Sequence, residues 1–435
     1  MNPAAAKVRE AAEDARAAAH ALALLPGETR HGALQAVAAA LEGWIPAILE
    51  ANAADLADPE GLSGLGPAGV QRLGLDAGKV AGMAAGVRAV AQLPDPLGRV
   101  RLRRRLDTGL ELTQVTCPLG VLGVVFESRP DALVQISALA LKSGNAALLK
   151  GGREATRSNR ALMAAIQEGL AAAGLPGASL QLLEGRESVQ ALLGLDGLVD
   201  LVIPRGSKAL VRAIQEGTRI PVLGHADGIC HVFLDAGAEA SMAEAIVLDA
   251  KTQYPAACNA LETLLVHAGC APALLPPLAS RLQAAGVELR GCERSRALVP
   301  GMKPATEADW DTEHGELILG VRVVDSLTEA IAHIHAHGSG HTEAIVTEDS
   351  AAAERFLREV DAAGVYHNAS TRFADGYRYG FGAEVGISTG KLHARGPVGL
   401  EGLVTTKYLL RGQGHRVGDY TGPGARPFLH EDLPC

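Results

Sequence analysis

VLGVVFESRPDALVQISALALKSGNAALLKGGREA, residues 121–155, holds a six-residue apolar run, a stretch with helical apolar spacing, and a second short apolar run ending in Lys150. Runs this short and this continuous read as strands buried on both faces, and the segment near 131–143 between them reads as a crossover helix. The alternation continues outward. A helix over 154–173 leads to LQLLE, a helix over 186–194 to LVDLVI, and a further helix spans 207–216. Strand and helix in strict turn predict a parallel α/β sheet covered on both sides. PVLGHADGICHVFLD (221–235) then opens a second α/β unit over about 231–365. On the other side, residues 3–58 and 68–93 are Ala- and Leu-rich with helical spacing, broken by GLSGLGPAG at 61–69, and read as covering helices. Between Val100 and Val115 apolar and charged residues alternate around Asp107, Thr108 and Gly109, which predicts a hairpin in need of a partner surface.

The chain has 435 residues, too many for one core, so two or three domains are expected. A formal charge of −9 argues against a nucleic-acid partner, and the run Arg101 to Arg105 is too short to reverse that. It reads as a basic strand edge. No apolar run reaches eighteen residues, and Lys7, Arg9, Glu10, Glu13, Asp14 and Arg16 stud the Ala-rich start, so no membrane span and no signal peptide are expected. Six scattered cysteines without a CxxC pair predict reduced thiols rather than disulfides or a cysteine-built zinc site. These features together predict a cytoplasmic protein.

KTQYPAACNALETLLVH, residues 251–267, sets Cys258 among small residues. Met242, Ile246, Val247 and Ala250 predict a helix before it, Pro255 ends that helix, and Leu264 to Val266 predict a buried strand after it. A cysteine among alanines is ordinarily a small buried hydrophobe; in a helix-to-strand loop it also suits a nucleophile whose backbone N–H holds an oxyanion. No GxGxxG follows the first strand, so a standard pyrophosphate turn is missing. Lys150 and Gly151 past AALLK, and Gly206 and Ser207 at a helix start, are the substitutes: an ammonium for a ribose 2′ oxygen or its phosphate, and unpaired N–H groups with a hydroxyl for pyrophosphate. Arg153 beside Lys150 favours a 2′-phosphate, Glu154 opposes it. Late glycine-interrupted loops supply Asn368, Ser370 and Arg372, then Ser388, Thr389, Lys391 and Arg395, a set suited to an anionic small molecule. No metal is expected. His333 and His337 stand four apart near His335 and His341, but no cysteine or carboxylate completes a set, and Gly338 breaks the helix first. In the group His225, Asp227, Cys230 and His231, the adjacent residues 230 and 231 point to opposite strand faces.

Several long motifs, in one order, give the chain a family resemblance. PLGVLGVVFESRPD (118–131), LKSGNAALLKGGREA (141–155), IPRGSKALV (203–211), the Cys258 segment, GHTEAIVTED (340–349) and YHNASTRFADGYRYGFGAEVGISTGKLHARGPVGLEGL (366–403) resemble the gamma-glutamyl phosphate reductase branch of the aldehyde dehydrogenase superfamily, over residues 5 to 415. The resemblance implies an α/β, aldehyde dehydrogenase-like fold. Residues 1–100 and 120–230 then form a Rossmann-type NADP-binding domain, 231–365 the catalytic domain, 101–119 with 385–415 a small β oligomerisation flap, and 416–435 an unassigned tail. It implies NADPH bound between domains by Lys150, Gly206 and Ser207, with Glu313 on the nicotinamide ribose. It implies that Cys258 forms a thioester with L-glutamyl 5-phosphate, which is reduced to L-glutamate 5-semialdehyde in proline biosynthesis. Asn368, Ser370, Arg372, Ser388, Thr389, Lys391 and Arg395 then bind the substrate, the chain is a homo-oligomer, and a glutamate 5-kinase is the upstream partner. Where hydrolytic members of the superfamily carry a general-base glutamate, this chain has VLGHADG, with Gly224 and His225, which favours phosphate exchange over thioester hydrolysis. The superfamily's oxyanion asparagine is absent from FESRPD, leaving Ser128 and Arg129 as substitutes. Two alternatives share the fold, a CoA-dependent acylating enzyme and a catalytically silent nucleotide-binding scaffold.

Overall fold

The structure, a computed structural model, describes residues 3–127, 129–225 and 227–435. The chain forms two compact units, one of Met1–Leu223, Phe381–Gly386 and Val398–Cys435, the other of Gly224–Gly380 and Ile387–Pro397. The second unit therefore starts before residue 231 and runs past 365. It takes in His225 and the late polar loops, because those loops hydrogen-bond to residues of the same unit, Ile387 to His225, Asn368 to Thr347 and Arg395 to Asp361.

In the first unit, strands Leu180–Leu182, Ala146–Lys150, Val121–Phe126 and Leu201–Arg205 lie side by side in that order, all parallel. Helix Pro130–Lys142 makes the first crossover, and eleven of its thirteen residues are buried. Even Lys142 is interior, its ammonium donating to the Ala91 carbonyl at 2.7 Å. The Ala-rich start forms helices Pro3–Leu22, Gly27–Gly43, Ile45–Leu56 and Ala77–Gln92, and Gly27–Gly43 packs on both Ala77–Gln92 and Thr156–Ala172. Among the described residues no single helix is long and apolar enough to cross a membrane.

The hairpin is present. Val100–Asp107 pairs antiparallel with Leu110–Pro118, turning at Thr108 and Gly109. Val404–Arg411 adds to the far side of Leu110–Pro118, whereas residues 385–403 of the expected flap lie outside this sheet. The C-terminal residues are more than a tail, since Glu431–Leu433 pairs with Val100–Asp107 as a fourth strand. Cross-strand charge accounts for this pairing: Arg104 meets Asp432 and Arg105 meets Glu431, each at 2.7 Å. The basic run thus faces acidic partners, with Arg101 on Glu401 and Arg103 on Glu111 completing it.

The second unit is built on a seven-stranded parallel sheet in the order Lys303–Pro304, Glu288–Gly291, Ile318–Val324, Leu261–His267, Cys230–Leu234, Thr342–Val346, Gly364–His367. Strand residues alternate between two cores. Val232, Leu234, Leu264 and Val266 pack with helices Ala240–Thr252 and Ala271–Ala284, while Phe233, Leu265 and Ile345 pack with Leu327–His337 and Ser350–Glu359. Burial on both faces explains why these strands read as continuous apolar runs.

Candidate active site

Cys258 lies on a tight turn between helix Ala240–Thr252 and strand Leu261–His267, half-buried and unbridged. Glu239 starts the helix by accepting from the Ser241 and Met242 N–H groups at 2.9 and 2.7 Å. After the helix ends, the turn is closed by Ala257 N–H to the Tyr254 carbonyl at 3.2 Å and Ala260 N–H to the Ala257 carbonyl at 2.9 Å. The two ends of this loop are clamped together by a buried ion pair, Lys251 Nζ to Glu262 Oε2 at 2.9 Å. Burial pushes the Glu262 carboxyl up to about 7 and pulls Lys251 down, with each partner opposing the other's shift. Glu313 sits half-buried beyond helix Glu307–Trp310, close enough to add its charge to both members of the pair.

A second segment presses on the cysteine from its backbone side. A Cβ at Gly228 would fall 2.1 Å from the Cys258 carbonyl oxygen and 2.7 Å from its Cα, so only glycine fits there. Around the sulfur stand residues that sequence reading had not brought together. His225, Cys258 and His341 each place one donor atom within 4.8 Å of the others, and the two imidazoles meet edge to face with centroids 4.8 Å apart. Cys230, fully buried, donates to the Cys258 carbonyl at 3.3 Å; burial raises its thiol far above the usual range, which marks it as a packing residue. The three histidine and cysteine positions come from a loop, a helix-to-strand turn and a strand start far apart in the chain. No local pattern in the sequence announces them.

The late loops reach the cysteine unevenly. Arg372 is almost fully buried, its Nε donating to Gln253 at 2.9 Å and its guanidinium 5.9 Å over the Tyr254 ring. Burial lowers its pKa and Arg378 adds to that, while the Cys258 sulfur pulls the other way. Ser370 is buried and accepts from the Arg372 N–H at 3.3 Å. Asn368 is held at φ 53 with its amide spent on Thr347, accepting from the N–H and donating to the carbonyl, each at 3.0 Å. It shapes the turn. Lys391 and Arg395 converge on one carboxylate, Asp361, with the Arg395 bond at 2.9 Å, so two cations are half neutralised. Ser388 is buried and Thr389 half-buried on the same loop. The stretch HIHAHGSGH divides its histidines: His333 is interior, its ring tilted against that of His337 with centroids 4.5 Å apart and its pKa pushed down to about 2 by burial, and His341 is the one that faces Cys258.

In the first unit, Lys150 ends strand Ala146–Lys150 half-buried, its ammonium bonded to the Gly151 carbonyl. Burial lowers its pKa, opposed by Glu154, Glu187 and Glu184. Glu184 is itself held by Arg160 at 2.5 and 2.7 Å. Ser207 caps helix Lys208–Gly217 by accepting from Leu210 N–H at 3.4 Å. The expectation of unpaired N–H groups at Gly206 and Ser207 needs correction, since Ser207 N–H donates to Glu127 Oε2 at 2.9 Å. A positive helix end draws in the nearest anion, and Glu127 lies eighty positions away in the chain, beyond the reach of local patterning. A Cβ at Gly206 would meet that carboxylate at 2.4 Å, so a larger residue there would have to displace the Glu127 side chain. Ser128 falls outside the described residues, and Arg129 is paired with Asp131 at 3.1 Å.

One unit carries a half-buried cysteine on a turn leading into an open parallel α/β sheet, and the other holds a carboxylate at the start of a helix beside its own parallel sheet, features that suit an enzyme with a cysteine nucleophile and an anionic ligand. The family described as Aldehyde dehydrogenase family matches residues 2–291, and the chain belongs to that family. Its relatives narrow the branch. The chain is similar to the gamma-glutamyl phosphate reductase of Synechococcus sp. (strain JA-3-3Ab), 63% identical over 96% of this chain and 93% of the relative. It is also similar to that of Cyanothece sp. (strain PCC 7425 / ATCC 29141), 61% identical over 98% of both. The crystal structure of gamma-glutamyl phosphate reductase from Thermotoga maritima superposes with a TM-score of 0.92 at 41% identity, covering 94% of this chain and 99% of that one. The fold is aldehyde dehydrogenase-like, and the enzymes of this family act on aldehyde groups with nicotinamide cofactors.

Proposed function

We propose that the chain reduces L-glutamyl 5-phosphate to L-glutamate 5-semialdehyde and inorganic phosphate in proline biosynthesis, with Cys258 as nucleophile and NADPH as reductant. The names and identities of the relatives support the reaction. The seat of Cys258 carries the assignment of the nucleophile: a half-exposed sulfur on a turn clamped at both ends, with the Arg372 cation coupled to it.

The Cys258 thiolate attacks the acyl carbon of the substrate, the bond to the phosphate oxygen breaks, and phosphate leaves with the electron pair, giving a thioester. The Cys258 N–H supports the oxyanion formed on the way. When bound, the reduced cofactor supplies the hydride that takes the acyl group to the aldehyde level. Cys258 sulfur is then expelled, releasing semialdehyde and restoring the thiolate. Arg372 and the single net positive charge of Lys391 and Arg395 over Asp361 bind the substrate's anions, and Ser370, Ser388 and Thr389 contribute hydroxyls. Asn368 acts by holding the loop. The residues of the first unit suit an anionic cofactor, because the N-terminus capped by Ser207 already donates to a carboxylate and helix starts of this kind favour phosphate. Lys150 and Arg153 are assigned to the 2′-phosphate, Gly206 and Ser207 to the pyrophosphate, and Glu313 to the nicotinamide ribose.

The enzyme is also proposed to be a cytoplasmic homo-oligomer fed by a glutamate 5-kinase. Six free cysteines accord with a reducing compartment. The outer strand Val404–Arg411 of the four-stranded sheet carries Tyr408 and Leu410 exposed at 62% and 58%, an edge suited to pairing with a second copy. Semialdehyde oxidation with NADP tests the reaction. Wild type should require phosphate and ignore CoA, and Cys258→Ala should lose turnover with an unchanged circular dichroism spectrum. Retained turnover in that variant, or dependence on CoA, would overturn the assignment.

A further inference from the structure

We infer that His225, Cys258 and His341 form a three-ligand site for a borderline-soft divalent cation of the Zn2+ class, whose occupation withdraws the Cys258 sulfur from chemistry. One donor atom of each lies within 4.8 Å of the other two, a spread that small side-chain rotations bring around a single ion. The donor set, one sulfur and two imidazole nitrogens, is that of soft and borderline metals and offers no oxygen ligand for Mg2+ or Ca2+.

The two histidines are oriented as ligands are. His225 Nδ1 lies 2.8 Å from the Ile387 carbonyl, which only accepts, so the proton sits on Nδ1 and Nε2 carries the lone pair. A ring nitrogen turned to a backbone carbonyl behind the site is the usual support of a metal-bound imidazole. His341 is 1% exposed, with Nδ1 at 2.8 Å from Thr342 Oγ1. Its Nε2 is buried with no hydrogen-bond partner from the protein, so a bound ion would satisfy a polar atom that the fold leaves unpaired. Three protein ligands leave a fourth position for water or phosphate, and the half-buried Cys258 leaves a path of entry. Binding replaces the thiol proton with the metal: one S–H bond breaks, one S–metal bond forms, and one proton is released with no change of oxidation state.

The inhibitory consequence rests on Cys258 being the nucleophile, while the site itself does not. Co2+ added to chelator-treated full-length protein serves as the probe, read by its thiolate-to-cobalt charge-transfer absorption and by competition with Zn2+. The expected result is one ion per chain, a band absent in Cys258→Ser and retained in Cys230→Ser, and affinity in His225→Gln reduced by more than the roughly 10–100-fold that outer-shell changes cost. His341→Gln should match, and His225, being half-buried, gives the decisive variant if the buried site fails to fold. Zn2+ should inhibit wild-type turnover at concentrations that bind, with the inhibition constant rising in His225→Gln by the same factor. A missing band, a band that survives Cys258→Ser, or an inhibition constant unmoved by His225→Gln would overturn the site. Protein that gives the band yet lacks phosphate-dependent turnover would sink the proposed reaction and leave the metal site standing.

Discussion

Replacing Glu262 with glutamine should make the protein more stable above pH 7, although it removes one half of a buried ion pair. Glu262 and Lys251 are 1% and 0% exposed and 2.9 Å apart. Desolvation nonetheless outweighs their attraction, and the carboxyl rises from 4.5 to about 7. Between those two pH values the native protein holds a proton that the unfolded chain has released. Stability contributed by this group is therefore full below pH 4.5 and declines as pH rises through 7. A shift of that size is worth about 3 kcal/mol. Glutamine cannot ionise and escapes the decline, but its NH2 must face either Lys251 Nζ or the Gly315 N–H that Glu262 Oε1 accepts at 3.1 Å, a loss of about 1 kcal/mol. Glu262→Gln is thus expected to lie within about 1 kcal/mol of wild type at pH 5 and to be about 2 kcal/mol more stable at pH 8. Urea unfolding in a Trp44→Phe background reads the second unit alone through Trp310, buried at 3% exposure. A variant less stable than wild type at pH 8, or a difference that does not change with pH, would refute the argument that burial dominates this pair.

Three further outcomes can be checked. Gly228→Ala puts a methyl carbon 2.1 Å from the Cys258 carbonyl oxygen; the loop must shift, so kcat should fall at least tenfold, and chemical unfolding should show a loss of about 1–3 kcal/mol. Arg372→Lys keeps the charge but loses the planar fork and the Gln253 bond, and steady-state kinetics should show KM for the semialdehyde raised by about 10–100-fold, with unchanged KM for NADP. Glu127→Ala removes the carboxylate that occupies Ser207 N–H, so KM for NADP should drop several-fold; a rise would mean that Glu127 assists the cofactor rather than competing with it.

What the sequence disclosed and what it withheld divide along a physical line. Strands buried on both faces leave continuous apolar runs, and a crossover helix leaves 3.6-residue spacing, so Val121–Phe126, Pro130–Lys142 and Ala146–Lys150 were legible within a residue or two. The Cys258 turn was legible because Pro255 ends one period and Leu261 begins another. Contacts set by charge between distant segments leave no such trace. Glu431–Leu433 joins the edge of Val100–Asp107 through Arg104 and Arg105, and a short acidic stretch near a chain end resembles many solvated tails. Glu127 on Ser207 N–H, Asp361 under Lys391 and Arg395, and Lys251 against Glu262 are likewise pairings that each residue type permits with dozens of partners. The same limit hid the ring of donors around the sulfur. His341 looked like one more member of a histidine-rich run, yet the helix Leu327–His337 carries His333 into the core and ends before His341, which the following strand delivers to Cys258 instead. Which histidine reaches the cysteine depended on where that helix stopped, so the break at Gly338, read as evidence against a shared site, is what allows His341 to join His225.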